Sequence, residues 1–552
     1  MSHTAPSAAP PGALSKRHIT GVMTGLMLGM FLASLDQTIV STAIYTVAND
    51  LDGLSLQAWA TTAYLITSTV STPLYGKLSD IFGRRPLYLA AIVIFLGGSV
   101  FSGSVHSMTE LAVARGIQGL GAGGLMALAL AIIGDIVPLS DRAKYQGYFM
   151  SVFGVSSVLG PVVGGAFAGA NQILWITGWR WVFYVNVPVG IAALITVFLF
   201  LHLPAHHERQ KIDYLGAAAI TVGLVPLLLV AEQGRGWGWG SAASITCYAI
   251  GAVGIALFIL LEKRAGDYAL IPLRLFKSAQ FSLSAVLNFI IGIGMFGAIA
   301  MLPMYLQLVK GLTPTAAGLL MVTFTVGIMT ASIIAGRTIS ATGTFKIFPV
   351  IGTLLLAGAS LTMGFVLNVD SPLWVPAVVA VFFGMGLGCC MQPLVLAMQT
   401  SVPPKDMGVG TSTAAFFRSM GGAVGTAVFI SMLFSLAADK ITSTMKDALT
   451  QPDFIKTLHD PAVAADPTNK PLFDLFKGAS GGLGSDNLND TSWLRNANAV
   501  LTHPIKDGFS QAVDGVMLTA AALVFIAFLI TLALPNAKLR DPKAALKEPT
   551  AA

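Results

Sequence analysis

Gly76-Lys77-Leu78-Ser79-Asp80-Ile81-Phe82-Gly83 divides two apolar runs, and its outline returns as Gly336-Arg337-Thr338-Ile339-Ser340-Ala341-Thr342-Gly343. Both copies begin and end on glycine, seven positions apart, with a cation after the first glycine. Glycine turns the chain sharply at little steric cost, and cations between apolar runs mark the inner membrane face. Counting outward, the first copy follows the second apolar run and the second copy follows the tenth. That offset predicts two six-helix halves with two further helices between them. Duplicated halves that rock about a midplane site are a recurrent transporter architecture.

Composition points the same way. Of 552 residues, 55% are hydrophobic and 11% charged, with mean hydropathy +0.75, whereas a soluble domain carries roughly a quarter charged residues. A helix needs about 20 apolar residues to cross the hydrocarbon, where its backbone must satisfy itself. Fourteen such spans are predicted, near 20–45, 56–75, 86–104, 109–133, 147–169, 180–201, 213–232, 242–261, 281–305, 315–336, 347–367, 373–399, 409–436 and 513–535. The expected fold is an all-α polytopic membrane protein. It has a tail at 1–19, a six-helix bundle at 20–201, two inserted helices with flanking loops at 202–279, a second six-helix bundle at 280–535 that includes a long outer loop at 438–512, and a tail at 536–552.

Lys77, Arg84, Arg85, Arg142, Lys144, Arg209, Lys211, Lys263, Arg264, Arg274, Lys277, Arg337, Lys346 and Lys405 fall on one side of these spans. Arg180, Arg235 and Lys310 fall on the other. The positive-inside rule then puts both termini in the cytoplasm. Because the cations are spread between runs, the net charge of +6 is a topology signal and not a nucleic-acid surface. Cys247, Cys389 and Cys390 lie inside apolar runs and no histidine is mid-span, so neither a metal centre nor a disulfide framework is expected, and no cofactor. The run after Lys16 and Arg17 lacks a following small-residue cleavage site and reads as a retained first helix. The loop at 438–512, with a glycosylation-type Asn489-Asp490-Thr491, reads as a surface excursion or as a lid.

Ionisable groups inside a membrane are costly and are functional candidates by default. Asp36 and Arg115 sit at similar depth, about four to six positions outward of their helix centres, roughly 5–9 Å at the helical rise. Burial opposes charge on a carboxyl and a nearby cation favours it, so an arginine that moves between rocking states would load and release a proton at Asp36. A permanent ion pair that merely orders two helices is the rival reading. Arg418, followed by Gly421, Gly422 and Gly425, is a third intramembrane charge, whereas Glu232 falls near a helix end. Gln37, Tyr64, Gln118, Asn288, Gln392 and Arg418 are candidate substrate-binding groups. Met295, Met301, Met304 and Met391 offer adaptable apolar surface beside them. In Gly160-Pro161-Val162-Val163-Gly164-Gly165, proline removes a backbone donor and bends the helix, while the glycines allow close packing.

The loop Gly76 to Gly83, continued by Arg84, Arg85 and Pro86, resembles the signature of the major facilitator superfamily. Leu35-Asp36-Gln37-Thr38-Ile39-Val40, Arg115-Gly116-Ile117-Gln118-Gly119-Leu120-Gly121, the Gly160-Pro161 motif, and Trp179-Arg180-Trp181 through Asn186 and Pro188 narrow the resemblance to fourteen-span drug:proton antiporters of the EmrB/QacA type. The resemblance implies alternating access, a gating latch at Gly76, Asp80, Gly83, Arg84 and Arg85, and antiport through the Gly160-Pro161-Gly164-Gly165 motif. It implies protons, lipophilic small molecules and the lipid bilayer as partners. The membrane is then a cell inner or plasma membrane, and the protein is a transporter and not an enzyme, compatible with a monomer. The predicted spans nine to fourteen carry no Asp or Glu in their interiors, unlike exporters of the QacA type, which leaves neutral lipophilic, anionic or weakly cationic substrates open. Without a phosphate loop of the Gly-x4-Gly-Lys-Ser/Thr form, energy comes from an ion gradient. Export of a dedicated substrate such as a lipid, a self-made antibiotic or an amino acid remains an alternative, as does a non-transporting receptor or scaffold.

Overall fold

Each copy of the glycine-framed octapeptide ends a helix. In the computed structural model, Gly83 (φ 92°) stops the helix Gln57–Phe82 and Gly343 (φ 69°) stops Pro314–Thr342, and each glycine N–H donates back to the fourth carbonyl before it, Ser79 O at 3.0 Å and Ile339 O at 2.8 Å. Only glycine takes this left-handed backbone without strain, so the repeat closes the second helix of each half in the same way.

The structure describes residues 16–51, 56–137, 139–202, 213–403, 406–470, 472–473, 494 and 497–535. Arg209, Lys211, Lys405, Asn489-Asp490-Thr491 and most of both tails lie outside the described residues, as do the side chains of Arg142, Lys144, Pro161, Glu232 and Arg235. The first half comprises α1 (Lys16–Asp50), α2 (Gln57–Phe82), α3 (Arg84–Ser104), α4 (Met108–Ile136), α5 (Leu139–Gly169) and α6 (Asn186–Phe200). The inserted pair is α7 (Tyr214–Trp237) and α8 (Ala242–Ala265). The second half comprises α9 (Ala279–Leu308), α10 (Pro314–Thr342), α11 (Ile347–Phe365), α12 (Trp374–Thr400), α13 (Met407–Ala448) and α14 (Ala499–Ala533). By length and composition, eleven of these helices suffice to cross a membrane among the described residues. Among the described residues α2, diluted by its serines and threonines, does not qualify, α9 counts only over Ala279–Met295, and α5 is not among the eleven.

Helix starts follow their caps. Ser107, Asp213, Ser241, Ser278, Thr313 and Asn498 each accept a first-turn backbone N–H of the helix that follows, which satisfies donors that lipid cannot.

The duplication reappears in packing. In the first half α1 packs on α5 and α6, and α4 packs on α2 and α3; in the second half α9 packs on α13 and α14, and α12 on α10 and α11. The halves meet along two matching seams, α5 against α10 and α2 against α13, so the second helix of one half lies on the fifth of the other. The inserted α7 and α8 pack on each other, and α7 leans on α2 and α13.

One difference from the sequence reading concerns the region 438–512. α13 runs twelve residues past the apolar segment that ends at 436, and α14 begins at Ala499 and not near 513. The two extensions pack together: Thr444 Oγ1 donates to Pro504 O at 2.7 Å, and Gly508 abuts Ile441. A short helix, Pro452–Leu458, follows with Phe454 buried. Outside lipid a helix need not be apolar, so hydropathy understates both lengths. The extensions also bring Asp439, Asp447 and Asp507 onto the helices of the second half, beside Asp514 at the start of the predicted last span.

Candidate functional site

Close helix approach creates the interior of the first half. A Cβ on Gly98 of α3 would lie 2.7 Å from Gln118 Cα, one on Gly119 of α4 would lie 2.9 Å from Tyr64 Cα, and one on Gly164 of α5 would lie 2.8 Å from Ile39 O. Small residues therefore draw α2, α3 and α5 onto α4 and α1. Gly98→Val is expected to overpack the α3–α4 seam, destabilising the protein by about 1–3 kcal/mol and lowering its thermal midpoint in detergent; an unchanged midpoint would refute the tight seam.

The polar groups held by that packing form one network. Arg115 Nη1 donates to Asp36 Oδ2 at 2.6 Å and to Gln118 Oε1 at 2.7 Å. Gln118 Nε2 donates to Asp36 Oδ1 at 2.8 Å, and Asn186 Nδ2 to the same oxygen at 2.7 Å. Ser99 Oγ accepts from Gln118 and Asn186 and donates to Phe183 O at 3.0 Å. These five side chains are all at most 1% exposed. Four helices, α1, α3, α4 and α6, thus converge on one carboxylate. Breaking such a buried pair by removing one partner typically costs about 3–5 kcal/mol.

The guanidinium has further neighbours. Its centre lies 4.2 Å from the Tyr64 ring centroid, and Nε donates to Ala60 O at 3.3 Å. A cation can rest on an aromatic face, so Arg115 has holding points on α2 that do not involve Asp36.

The sequence reading set Gln118 and Tyr64 among substrate groups; the structure buries both in the charge network. Gln37 and Arg418 are half-buried, and Asn288 is buried, donating to Ser284 O and to Met398 Sδ. Gln392 is buried on α12. Ser99 was missed and Asn186 was noted only within a motif. An amide in the apolar run of α6 was the available signal for Asn186, whereas nothing in the sequence distinguishes Ser99 from other helix serines. Trp179 and Arg180 close the ends of the helices: Trp179 Nε1 donates to Asp50 Oδ2 at 2.6 Å, and Arg180 Nη1 to Gly103 O at 2.8 Å. Gly160 and Gly164 of α5 face Thr38 and Ile39, beside Asp36, while a Cβ on Gly165 would meet open space. α5 continues through Pro161 as one helix.

The loop after α2 makes a second charged cluster. Arg84 contacts Asp80 at 2.5 Å, Asp135 of α4 at 2.7 Å and Ser79. Arg85 Nη2 donates to Phe198 O of α6 at 2.8 Å with its guanidinium over the Phe198 ring. Across the seam, a Cβ on Gly76 would lie 2.5 Å from Ser412 Cβ, and one on Gly408 would lie 2.8 Å from Asp80 Cγ. Next to it Arg274, in the segment after α8, pairs with Asp406 at the start of α13 at 2.8 Å. This cluster therefore ties four helices of the first half, α2, α3, α4 and α6, to the start of α13.

Comparisons with known proteins fit this geometry. The family model described as Major Facilitator Superfamily matches residues 26–426. The "Multidrug transporter protein MdtP" of Bacillus subtilis is 36% identical over 438 residues, covering 79% of this chain and 78% of that protein. The "Tetracycline resistance determinant" of Streptomyces rimosus is 37% identical over 319 residues, 58% of this chain and 90% of that protein. Among solved structures, the human organic anion transporter MFSD10 superposes with a TM-score of 0.59 at 15% identity, covering 95% of this chain and all of that one, a likeness of fold alone.

Proposed function

This chain belongs to the Major Facilitator Superfamily, and on that premise we propose that it exports lipophilic small molecules in exchange for protons. It is a multi-pass membrane protein of fourteen spans, placed in the cell inner or plasma membrane with both termini in the cytoplasm, and it acts as a transporter and not as an enzyme. The single observation that carries the coupling is the Asp36 carboxylate, wholly buried and held by Arg115, Gln118 and Asn186. The printed names of MdtP and of the Streptomyces rimosus determinant support drugs as cargo.

The mechanism follows from which donors can leave. Gln118 and Asn186 are neutral and sit on α4 and α6, so they orient the carboxylate in either charge state. Arg115 stabilises the anion. When the halves rock, a shift of the guanidinium toward Tyr64 and Ala60 frees Asp36 Oδ2 to take up a proton, and its return expels that proton. Gly160 and Gly164 let α5 slide against α1 next to this pair, and the Arg84 cluster latches the loop side between strokes. The test is purified protein in liposomes under an imposed pH gradient: a lipophilic dye is expected to move against its own gradient, with proton movement in the opposite sense that requires dye. Dye movement indifferent to the pH gradient would sink the antiport reading.

A further inference from the structure

Arg418 lies within the apolar length of α13 and has no hydrogen bond, ion pair or ring contact among the described residues. An arginine offers five donors and stays charged, so leaving it unmatched inside a membrane protein is costly. Its surroundings explain how it is held there. One turn away on either side are Ala414, Ala415, Gly421 and Gly422, all small and buried. The backbone at this level is clamped by α9: a Cβ on Gly292 would lie 3.1 Å from Arg418 Cα, and one on Gly421 would lie 3.1 Å from Phe289 Cα. Phe416, two residues back, is locked in an apolar cluster with Ile66 and Val70 of α2 and Leu224 of α7. Arg418 is thus fixed at its root where both halves meet, with a head group that no described residue engages.

Among the described residues, the buried carboxylates nearest in role are committed elsewhere. Asp36 already has three donors, and Asp80 and Asp406 have arginine partners. Asp514, the half-buried carboxylate of α14, feels Asp507 and Lys440, and Lys440 lies twenty-two residues along α13 from Arg418, about 33 Å at the helical rise.

We propose that Arg418 recognises the charge of the cargo, so that amphiphilic organic anions bearing a carboxylate or sulfonate are substrates of this chain. The guanidinium fork fits such planar or multidentate oxyanions. This rests on the efflux reading and narrows it.

The experiment uses a matched pair of dyes in liposomes, 8-anilinonaphthalene-1-sulfonate and the neutral N-phenyl-1-naphthylamine, which share an aromatic frame and differ in the sulfonate. Wild type is expected to transport the sulfonate. Arg418→Gln is expected to lose at least about tenfold on it while changing less than about twofold on the neutral dye, and Arg418→Lys should fall between, since a point charge replaces the fork. Transport of the neutral dye but not of the sulfonate by wild type overturns the inference and leaves efflux standing. Equal losses on both dyes in Arg418→Gln reduce Arg418 to a structural role and also overturn it. If wild type moves neither dye, the efflux reading fails separately, and sulfonate binding to protein in nanodiscs then decides for Arg418: weaker binding in Arg418→Gln supports recognition, and equal binding overturns it.

Discussion

Asp36→Asn is expected to abolish dye-driven proton movement in liposomes, to the level of empty vesicles, because the amide keeps the shape of the carboxylate but carries no exchangeable charge. The substitution also leaves Arg115 buried without an anion, for which a cost of about 3–5 kcal/mol is ordinary. Loss of transport alone would therefore not separate coupling from folding. The double variant Asp36→Asn/Arg115→Gln removes both charges, and its thermal midpoint should recover most of what the single variant loses. Proton movement should stay at background in both. Recovery of proton-coupled transport in the double variant would demote the pair to a structural tie between α1 and α4.

The second large effect concerns the seam at Gly76 and Ser412. A Cβ on Gly76 would stand 2.5 Å from that of Ser412, nearer than the roughly 3.5–4.5 Å of a disulfide, so the two helices must part by about 1 Å or more before cysteines at these positions can join. With Cys247, Cys389 and Cys390 replaced by serine, Gly76→Cys/Ser412→Cys should form a bond under mild oxidation, seen as a mobility shift of the protein on denaturing gels. Transport should fall to background when oxidised and return with reductant, since the two halves could no longer part on that side. Full transport in the cross-linked protein would show that this seam stays closed through the cycle.

Much of the architecture was legible because lipid imposes a length and forbids unpaired backbone. The repeated octapeptide was legible because a helix ending in positive φ demands glycine, and Gly83 and Gly343 both occupy that conformation. The extended ends of α13 and α14 were not, since a polar helix in water leaves no run of apolar residues. Asp36 and Arg115 could be paired in advance because charge inside an apolar run is rare. Gln118 and Tyr64 were placed with the cargo because polarity marks an interior but does not say which interior. Ser99 was invisible: a hydroxyl bonds cheaply to its own helix in many places, and only three-dimensional proximity to Asn186 and Gln118 distinguishes this one.

The overlong α13 carries a mechanical consequence. Its 42 residues amount to about 63 Å at the helical rise, against a hydrocarbon layer of about 30 Å. Braced by α14, the overhang is a lever arm fixed to one half. A swing of about 10° in that half, pivoting at mid-membrane, would carry the tip through about 8 Å. A spin or fluorescent label at the exposed Thr450, paired with one on the opposite half, would magnify a stroke that is hard to resolve near its fulcrum.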